Sequence, residues 1–212
     1  MPSTYAAEAL TLEHASSPRY HDTYTYTQDD WRRYLYAYYR LVERVDREVG
    51  RIVGVLKARG LYDDSAIIFL SDHGDGVAAH GWNQKWNLQE EVVNVPLIVK
   101  APEGAGLRGV RNDEALSNVG LDLYATVCDY AGVAPDPGRY RGRSLRPVAE
   151  GRQTTLHDEV FVETLLPGPG MRGWCVVGPR YKYVLYQWGR NREALYDLQD
   201  DSGEMVNLVV DR

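Results

Sequence analysis

A long stretch of the chain places its apolar residues three or four positions apart. The pattern runs from Trp31 to about Arg59, and this spacing predicts one amphipathic helix whose apolar side packs on a sheet. Asp29 or Asp30 is positioned to cap its start, and Gly60 follows its last turn, as is typical just past the end of a helix. The apolar positions of this stripe are Leu35, Tyr38, Tyr39, Val42, Val45, Val49, Ile52, Val53 and Leu56.

Two short apolar runs follow this helix and predict buried strands. They cover residues 66–70 and 95–100, which is the length of a strand and too short for a typical helix. Residues 88–93 favour a short helix between them, and residues 118–131 favour a longer one that Gly132 ends. Strands that alternate with helices predict an α/β fold with a mainly parallel sheet and flanking helices.

The pattern changes near residue 155. From there, apolar residues alternate with polar ones or form short runs between turns, which is typical of an antiparallel sheet. The sequence therefore predicts three regions: an irregular arm over residues 1–27, the α/β domain over residues 28–154, and a small antiparallel subdomain over residues 155–212.

Composition and charge exclude several classes of protein. The net charge of −6 argues against a general nucleic-acid binder, and 44% hydrophobic residues are enough to build a core. No apolar run is long enough for a transmembrane helix, and the amino terminus shows no signal peptide, so the chain as it stands is expected to be cytoplasmic, with no membrane partner. Cys128 and Cys175 are too few and too far apart for a disulfide framework.

The residues after the first predicted strand carry the candidate chemistry. Asp72 and His73 follow that strand directly, and Lys85 comes thirteen positions after Asp72. Ligands of open α/β sheets bind just beyond the carboxyl ends of the strands. A carboxylate and an imidazole at this place suit a divalent cation, and a lysine nearby suits an anion beside that cation. The sequence therefore predicts that these three side chains lie in one cleft.

These residues, with their surroundings, resemble the second half of a sulfatase of the alkaline-phosphatase superfamily. The resemblance rests on Ser-Asp-His-Gly at residues 71–74, Ala-His-Gly at 79–81, Lys85, and Glu-Glu-Val-Val-Asn-Val-Pro-Leu-Ile-Val at 90–99. Three further stretches agree in order and spacing: the helix before the metal strand, the helix and loop from Asn118 to Leu145, and the ending from Arg180 to Leu208. The likeness spans roughly residues 34–208.

The resemblance implies a role for each matching residue. Asp72 and His73 correspond to ligands of a divalent metal, most simply Ca²⁺, and Lys85 corresponds to the lysine that contacts the sulfate ester. His80 lies in a loop where many relatives have a histidine, and three interpretations stay open: a general acid for the leaving group, a substrate contact, or a structural hydrogen-bonding residue. Asp75 and Asn83 are further candidates to line the site. The substrate would be a small sulfated molecule.

Several parts of the family's machinery are absent from this sequence. The family nucleophile is a formylglycine made from a cysteine in Cys-x-Pro-Ser-Arg, and neither Cys128 nor Cys175 has that context. The paired aspartates of the family's first strand are also not found. We therefore expect the chain to be a portion of a sulfatase-like hydrolase, inactive alone, that associates with itself or with a separately encoded amino-terminal half.

Two other functions compete with this interpretation. A phosphonate monoester or phosphodiester hydrolase of the same superfamily would use a similar metal end with a different nucleophile or pocket. A non-catalytic remnant would act as a binding module instead.

Overall fold

The computed structural model of the chain describes residues 25–81, 83–136, 138–165, 172–187 and 192–209. The arm predicted over residues 1–27 therefore lies, up to residue 24, outside the described residues. The elements in chain order are α1 (Gln28–Ala58), β1 (Ile67–Leu70), a 3₁₀ turn (Ala79–Gly81), α2 (Glu90–Val93), β2 (Leu97–Lys100), α3 (Val119–Tyr130), α4 (Arg146–Ala149), β3 (Val160–Leu165), β4 (Arg172–Val177), β5 (Tyr181–Tyr186) and β6 (Glu193–Asp197). None of the helices in these residues has the length and apolar character needed to cross a bilayer.

The described residues form two compact units that are discontinuous in sequence. The first contains residues 25–42, 73–95 and 161–209, and the second contains residues 43–72 and 96–160. Each unit has its own small sheet.

Helix α1 begins with a reciprocal pair of hydrogen bonds. The Asp30 backbone N–H donates to Thr27 Oγ1 (3.2 Å), and the Thr27 backbone N–H donates to Asp30 Oδ2 (2.9 Å). This arrangement is a capping box, so Thr27 is the cap and the prediction of Asp29 or Asp30 in that position was wrong. The predicted end is confirmed, because Gly60 has a φ of +64°, which favours glycine.

The apolar stripe of α1 is only partly covered by the described residues. No residue of the helix is buried, and Val45 and Ile52 are 52% and 63% exposed. Packing of this stripe on a sheet therefore stays a prediction. Clustered exposed apolar side chains are uncommon on protein surfaces, and they mark interaction sites.

The second unit contains a two-stranded sheet and a buried carboxylate. Strands β1 and β2 are antiparallel, with Ile67 opposite Lys100 and Leu70 opposite Leu97. The fold is α/β as predicted, but the strands that the structure pairs are antiparallel. A two-stranded sheet of this length has few backbone hydrogen bonds of its own.

Asp122 on α3 organises the loops around it in the second unit. Its carboxylate is fully buried and accepts hydrogen bonds from the Ser117 hydroxyl (3.0 Å) and from the backbone N–H groups of Asn118 and Arg143 (2.8 Å each). His157 Nε2 lies 3.0 Å from both of its oxygens. The sequence suggests a solvated loop histidine at position 157, and that interpretation was wrong because the imidazole lies against Asp122.

The first unit contains a four-stranded sheet in the order β3-β4-β5-β6. Strand β5 pairs antiparallel with both β4 and β6, which confirms the antiparallel character predicted for this part of the chain. Alternate residues of β5 point inward, as the two-residue period of a strand requires. These inward residues are Lys182, Val184 and Tyr186.

Lys182 is a buried charge that joins three segments of the first unit. Its ammonium lies 2.8 Å from Glu204 Oε1 and 3.0 Å from Glu90 Oε1, while the Glu90 backbone N–H donates to Glu204 Oε2 (2.8 Å). Burial alone lowers the pKa of Lys182, but the carboxylates of Glu204 and Glu90 outweigh it and the pKa is raised. Burial also raises the pKa of Glu204, against the opposing effect of Lys182.

Lys182→Met should destabilise the protein strongly, because the substitution leaves the carboxylate of Glu204 buried without its cation. Breaking a buried ion pair costs about 3–5 kcal/mol. Urea unfolding would measure this loss, and Lys182→Met combined with Glu204→Gln should recover a large part of it. A single variant that unfolds at the wild-type urea concentration would contradict the role assigned to this ion pair.

Candidate functional site

The loop that follows β1, residues 71–87, carries all the side chains that the sequence singles out. Its backbone is strained: Val77, Ala78, His80, Gln84 and Trp86 all have positive φ. Such a conformation costs a non-glycine residue about 1–2 kcal/mol. Strain of this kind persists only where the surrounding structure enforces it, and it is concentrated at functional sites.

Asp75 holds the middle of this loop. Its Oδ1 accepts hydrogen bonds from the Tyr34 hydroxyl (2.8 Å) and the Val77 backbone N–H (3.1 Å), and its Oδ2 accepts from the Gln84 backbone N–H (3.2 Å). Burial, and then Asp75, raise the pKa of Tyr34. Both carboxylate oxygens of Asp75 are thus engaged in shaping the loop.

Gly74 fixes the start of the loop against α2. Its backbone N–H donates to the Val92 carbonyl (2.8 Å), and a Cβ at this position would lie 1.9 Å from the Glu91 carbonyl oxygen. No side chain can be accommodated at that distance, so the close approach requires glycine. The position of His73, one residue earlier, depends on this contact.

His73 and Lys85 meet in this loop. The Lys85 ammonium lies 2.9 Å from His73 Nε2, and His73 Nδ1 lies 2.8 Å from the Gly74 carbonyl oxygen. An ammonium can only donate and a carbonyl can only accept. The neutral ring therefore carries its proton on Nδ1 and presents the lone pair of Nε2 to Lys85.

This tautomer is the one that a histidine has when it binds a metal through Nε2. In protein metal sites, the ring nitrogen that does not bind the metal commonly donates to a backbone carbonyl or a carboxylate. Asp72 is exposed and directly precedes His73 in the chain, although the two residues fall in different compact units. An imidazole with this tautomer fits a divalent cation.

His80 lies in a different environment. Among the described residues, ligand atoms of His80, Glu91 and Glu204 lie within 4.8 Å of one another and could hold a metal ion. His80 Nδ1 is buried and has no hydrogen-bond partner among the residues that the structure describes. Glu204 is buried and already paired with Lys182, so its charge is largely compensated before any metal is considered.

Sequence reasoning missed Glu91 and Glu204 as neighbours of His80. The three positions are far apart in the chain, and only tertiary structure brings them together, so no local pattern could have indicated the cluster. Asn83, a candidate to line the site, is 4% exposed and so is enclosed by protein.

The described residues form an α/β fold with a charged loop after a strand, and family models identify the class of protein. The model described as Sulfatase matches residues 11–133, and the model described as N-sulphoglucosamine sulphohydrolase, C-terminal, matches residues 78–212. The chain belongs to the sulfatase family, as the sequence motifs predict. Dependence on a divalent metal is general in that family.

Individual relatives agree with the family models. A Delta 4,5-hexuronate-2-O-sulfatase from Bacteroides thetaiotaomicron is 33% identical over 195 residues, which is 88% of this chain and 39% of the relative. A 2-O GAG sulfatase of known structure matches with a TM-score of 0.80 at 32% identity, over 88% of this chain and 40% of that one. The chain therefore spans about a third to two fifths of the length of the relatives it matches.

Two other solved structures bear on chemistry. One is a protein in complex with its substrate D-glucosamine-2-N,6-O-disulfate, matching with a TM-score of 0.68 at 27% identity over 79% of this chain and 34% of that one. The other is the phosphonate monoester hydrolase of Agrobacterium radiobacter, matching with a TM-score of 0.77 at 27% identity over 88% of this chain and 39% of that one.

Gly74→Ala should destabilise the protein by about 1–3 kcal/mol, the usual cost of overpacking, because the new methyl group must push the loop away from the Glu91 carbonyl. Urea unfolding would measure the loss, and nitrogen-15 NMR of the His73 ring should show a changed environment. Gly54→Ala is the matched control: Gly54 lies within α1 with nothing within 4 Å of a Cβ, so alanine there should stabilise by about 1 kcal/mol. Equal effects of the two substitutions would contradict the packing argument.

Proposed function

We propose that this chain supplies the cation-binding and sulfate-binding residues of a metal-dependent sulfate ester hydrolase. The observation that carries the proposal is the contact between His73 and Lys85, in which an imidazole with the tautomer of a metal ligand and an ammonium share one site. Membership of the sulfatase family supports the same conclusion. The substrate class that we propose is a sulfated sugar, since relatives act on or bind such molecules.

In this proposal each side chain has one task. Asp72 and the Nε2 atom of His73 hold the cation, which we propose to be Ca²⁺, and Asp72 contributes the hard anionic oxygen that calcium prefers. A bound divalent cation supplies Lewis-acid stabilisation of the charge on the sulfate oxygens. Lys85 contacts the same oxygens through its ammonium, where it neutralises charge that develops during transfer. His80 gives a proton to the departing alcohol.

We further propose that the exposed apolar surfaces of the chain are covered by another polypeptide segment, either a separately encoded amino-terminal half or a second copy. Ile98 on β2 is 61% exposed and Phe161 on β3 is 65% exposed, in addition to the stripe on α1. Strands β1 and β2 would then extend into a mainly parallel sheet. An amino-terminal half would also supply the nucleophile, which a second copy could not, since neither cysteine of this sequence has the formylglycine context.

The phosphonate monoester hydrolase of similar structure favours one alternative. Phosphonate monoesters and sulfate esters carry the same single negative charge, so the cation and Lys85 could serve either substrate. The two functions differ in the nucleophile and pocket, which a parallel assay of both substrate types would separate. A binding module without catalysis would take up the cation and show turnover with neither substrate in any reconstituted mixture.

We expect this chain to bind Ca²⁺ weakly, because two protein ligands leave most of the coordination shell to water. Calorimetry should show that Asp72→Asn weakens binding by about tenfold, since ligand charge tunes calcium affinity. Asp46→Asn is the control, as it removes the same charge from an exposed position on α1. Binding that responds equally to both substitutions would place the cation elsewhere.

We expect the chain alone to turn over no chromogenic sulfate ester, because covalent catalysis needs an activated nucleophile. Adding a polypeptide that carries formylglycine in Cys-x-Pro-Ser-Arg and the paired aspartates should restore turnover. Lys85→Ala should then lower kcat by about 100-fold or more, the effect of removing one group that stabilises transition-state charge. Turnover by the chain alone that Lys85→Ala abolishes would contradict the proposed division of the site.

A further inference from the structure

His73 offers a cation only one bonding position. Its Nδ1 is engaged with the Gly74 carbonyl at 2.8 Å, so the lone pair on Nε2 is what remains for bonding a cation, and the Lys85 ammonium lies on it at 2.9 Å. A metal ion would bond this nitrogen at about 2.0–2.4 Å. One lone pair cannot serve an ammonium and a metal ion together, and two cations that close repel each other.

The backbone on both sides of Lys85 is held in place. The Gln84 N–H donates to Asp75 Oδ2 at 3.2 Å, and the Gln84 carbonyl accepts from the Gly76 N–H at 2.8 Å. The Trp86 carbonyl accepts from the Thr164 hydroxyl on β3 at 2.9 Å. Lys85 therefore leaves His73 by rotation of its own four-carbon side chain, while its Cα stays where it is.

We propose that the Lys85 ammonium and a divalent cation compete for Nε2 of His73, and that the cation, when it binds, displaces the ammonium and frees it for the anionic group of the substrate. This inference rests on the proposed function, because it takes His73 as a cation ligand. The cation and an oxyanion such as sulfate then bind with positive coupling. By linkage, each raises the affinity for the other by the same factor.

Removing a residue of a binding site usually weakens binding, but this proposal predicts that removing Lys85 strengthens cation binding. Removing Lys85 takes away the competitor for Nε2, so Lys85→Met should bind Ca²⁺ about tenfold more tightly, the effect of one hydrogen bond to a charged group. The same substitution should abolish the enhancement of sulfate binding by the cation. In the wild-type protein, inorganic sulfate should bind about tenfold more tightly when Ca²⁺ is present.

Calorimetry with Ca²⁺, and separately with Mn²⁺, tests this on the full chain as wild type, Lys85→Met and Lys85→Gln. Circular dichroism checks that each variant folds. Two neutral replacements are used so that the test still stands if one of them does not fold. Repeating the titrations at about 0.5 M KCl separates direct displacement from long-range repulsion, because salt at that strength screens distant charges. Nitrogen-15 and carbon-13 NMR of wild type should show the Lys85 side chain shifting as the cation binds.

The outcomes separate cleanly. Tighter cation binding by both neutral variants, preserved in high salt, with a shift of the Lys85 resonances in wild type, supports the exchange. A different result overturns the exchange and leaves the proposed function standing: the Lys85 variants bind the cation no more tightly than wild type, while Asp72→Asn still binds it more weakly than wild type. Absence of cation binding to wild type, or binding insensitive to both Asp72→Asn and His73→Gln, overturns the proposed function and the exchange with it.

Discussion

The buried ammonium of Lys182 is the interaction on which the first unit depends. Because its charge is removed from water, it must keep its two carboxylates, and one of them belongs to Glu90 at the start of α2. Tyr186, on the same face of β5, accepts a hydrogen bond from the Leu88 backbone N–H at 2.9 Å. Strand β5 therefore fixes the position of α2. Gly74 packs against α2 through its hydrogen bond to the Val92 carbonyl, and His73 is the residue directly before Gly74. A charge far from the loop in sequence thus determines where the candidate ligand stands.

The strained backbone of the loop is consistent with this dependence. Residues other than glycine keep a left-handed backbone conformation only where other contacts enforce it. Here the Asp75 carboxylate accepts three hydrogen bonds, and the Thr164 hydroxyl donates one to the Trp86 carbonyl. The enforcing contacts come from α1, from the loop itself and from β3. Contacts from several directions therefore hold the described residues of this loop in their left-handed conformations.

The sequence predicted the features that depend on residues close together in the chain, and it did not predict those that depend on contacts between distant residues. Local patterns predicted α1 and its end at Gly60, the antiparallel strands after residue 155, and the sulfatase family. The same patterns failed where distant residues decide: the pairing of His157 with Asp122, and the cluster of His80 with Glu91 and Glu204, need tertiary structure. The apolar stripe of α1 predicted burial, but periodicity reports only that a face is apolar, not what covers it. The shift of the cap to Thr27 is a boundary error of a few residues, as hydrogen bonding at helix ends is decided by single side chains.

The proposed exchange accounts for a lysine at position 85, because the exchange needs one cation that can take two alternative partners. An ammonium is a compact point charge on a flexible stem, and it can donate to a single nitrogen lone pair and then to a sulfate oxygen with no preferred plane. A guanidinium is a planar fork that matches oxyanions through two parallel hydrogen bonds, and only one arm of that fork could use His73 Nε2. Arginine would therefore favour the anion over the imidazole at all times. With lysine, the hydrogen bond to His73 Nε2 and the contact with the oxyanion are closer in energy. Under that condition, binding of a divalent cation can shift the ammonium from the first partner to the second.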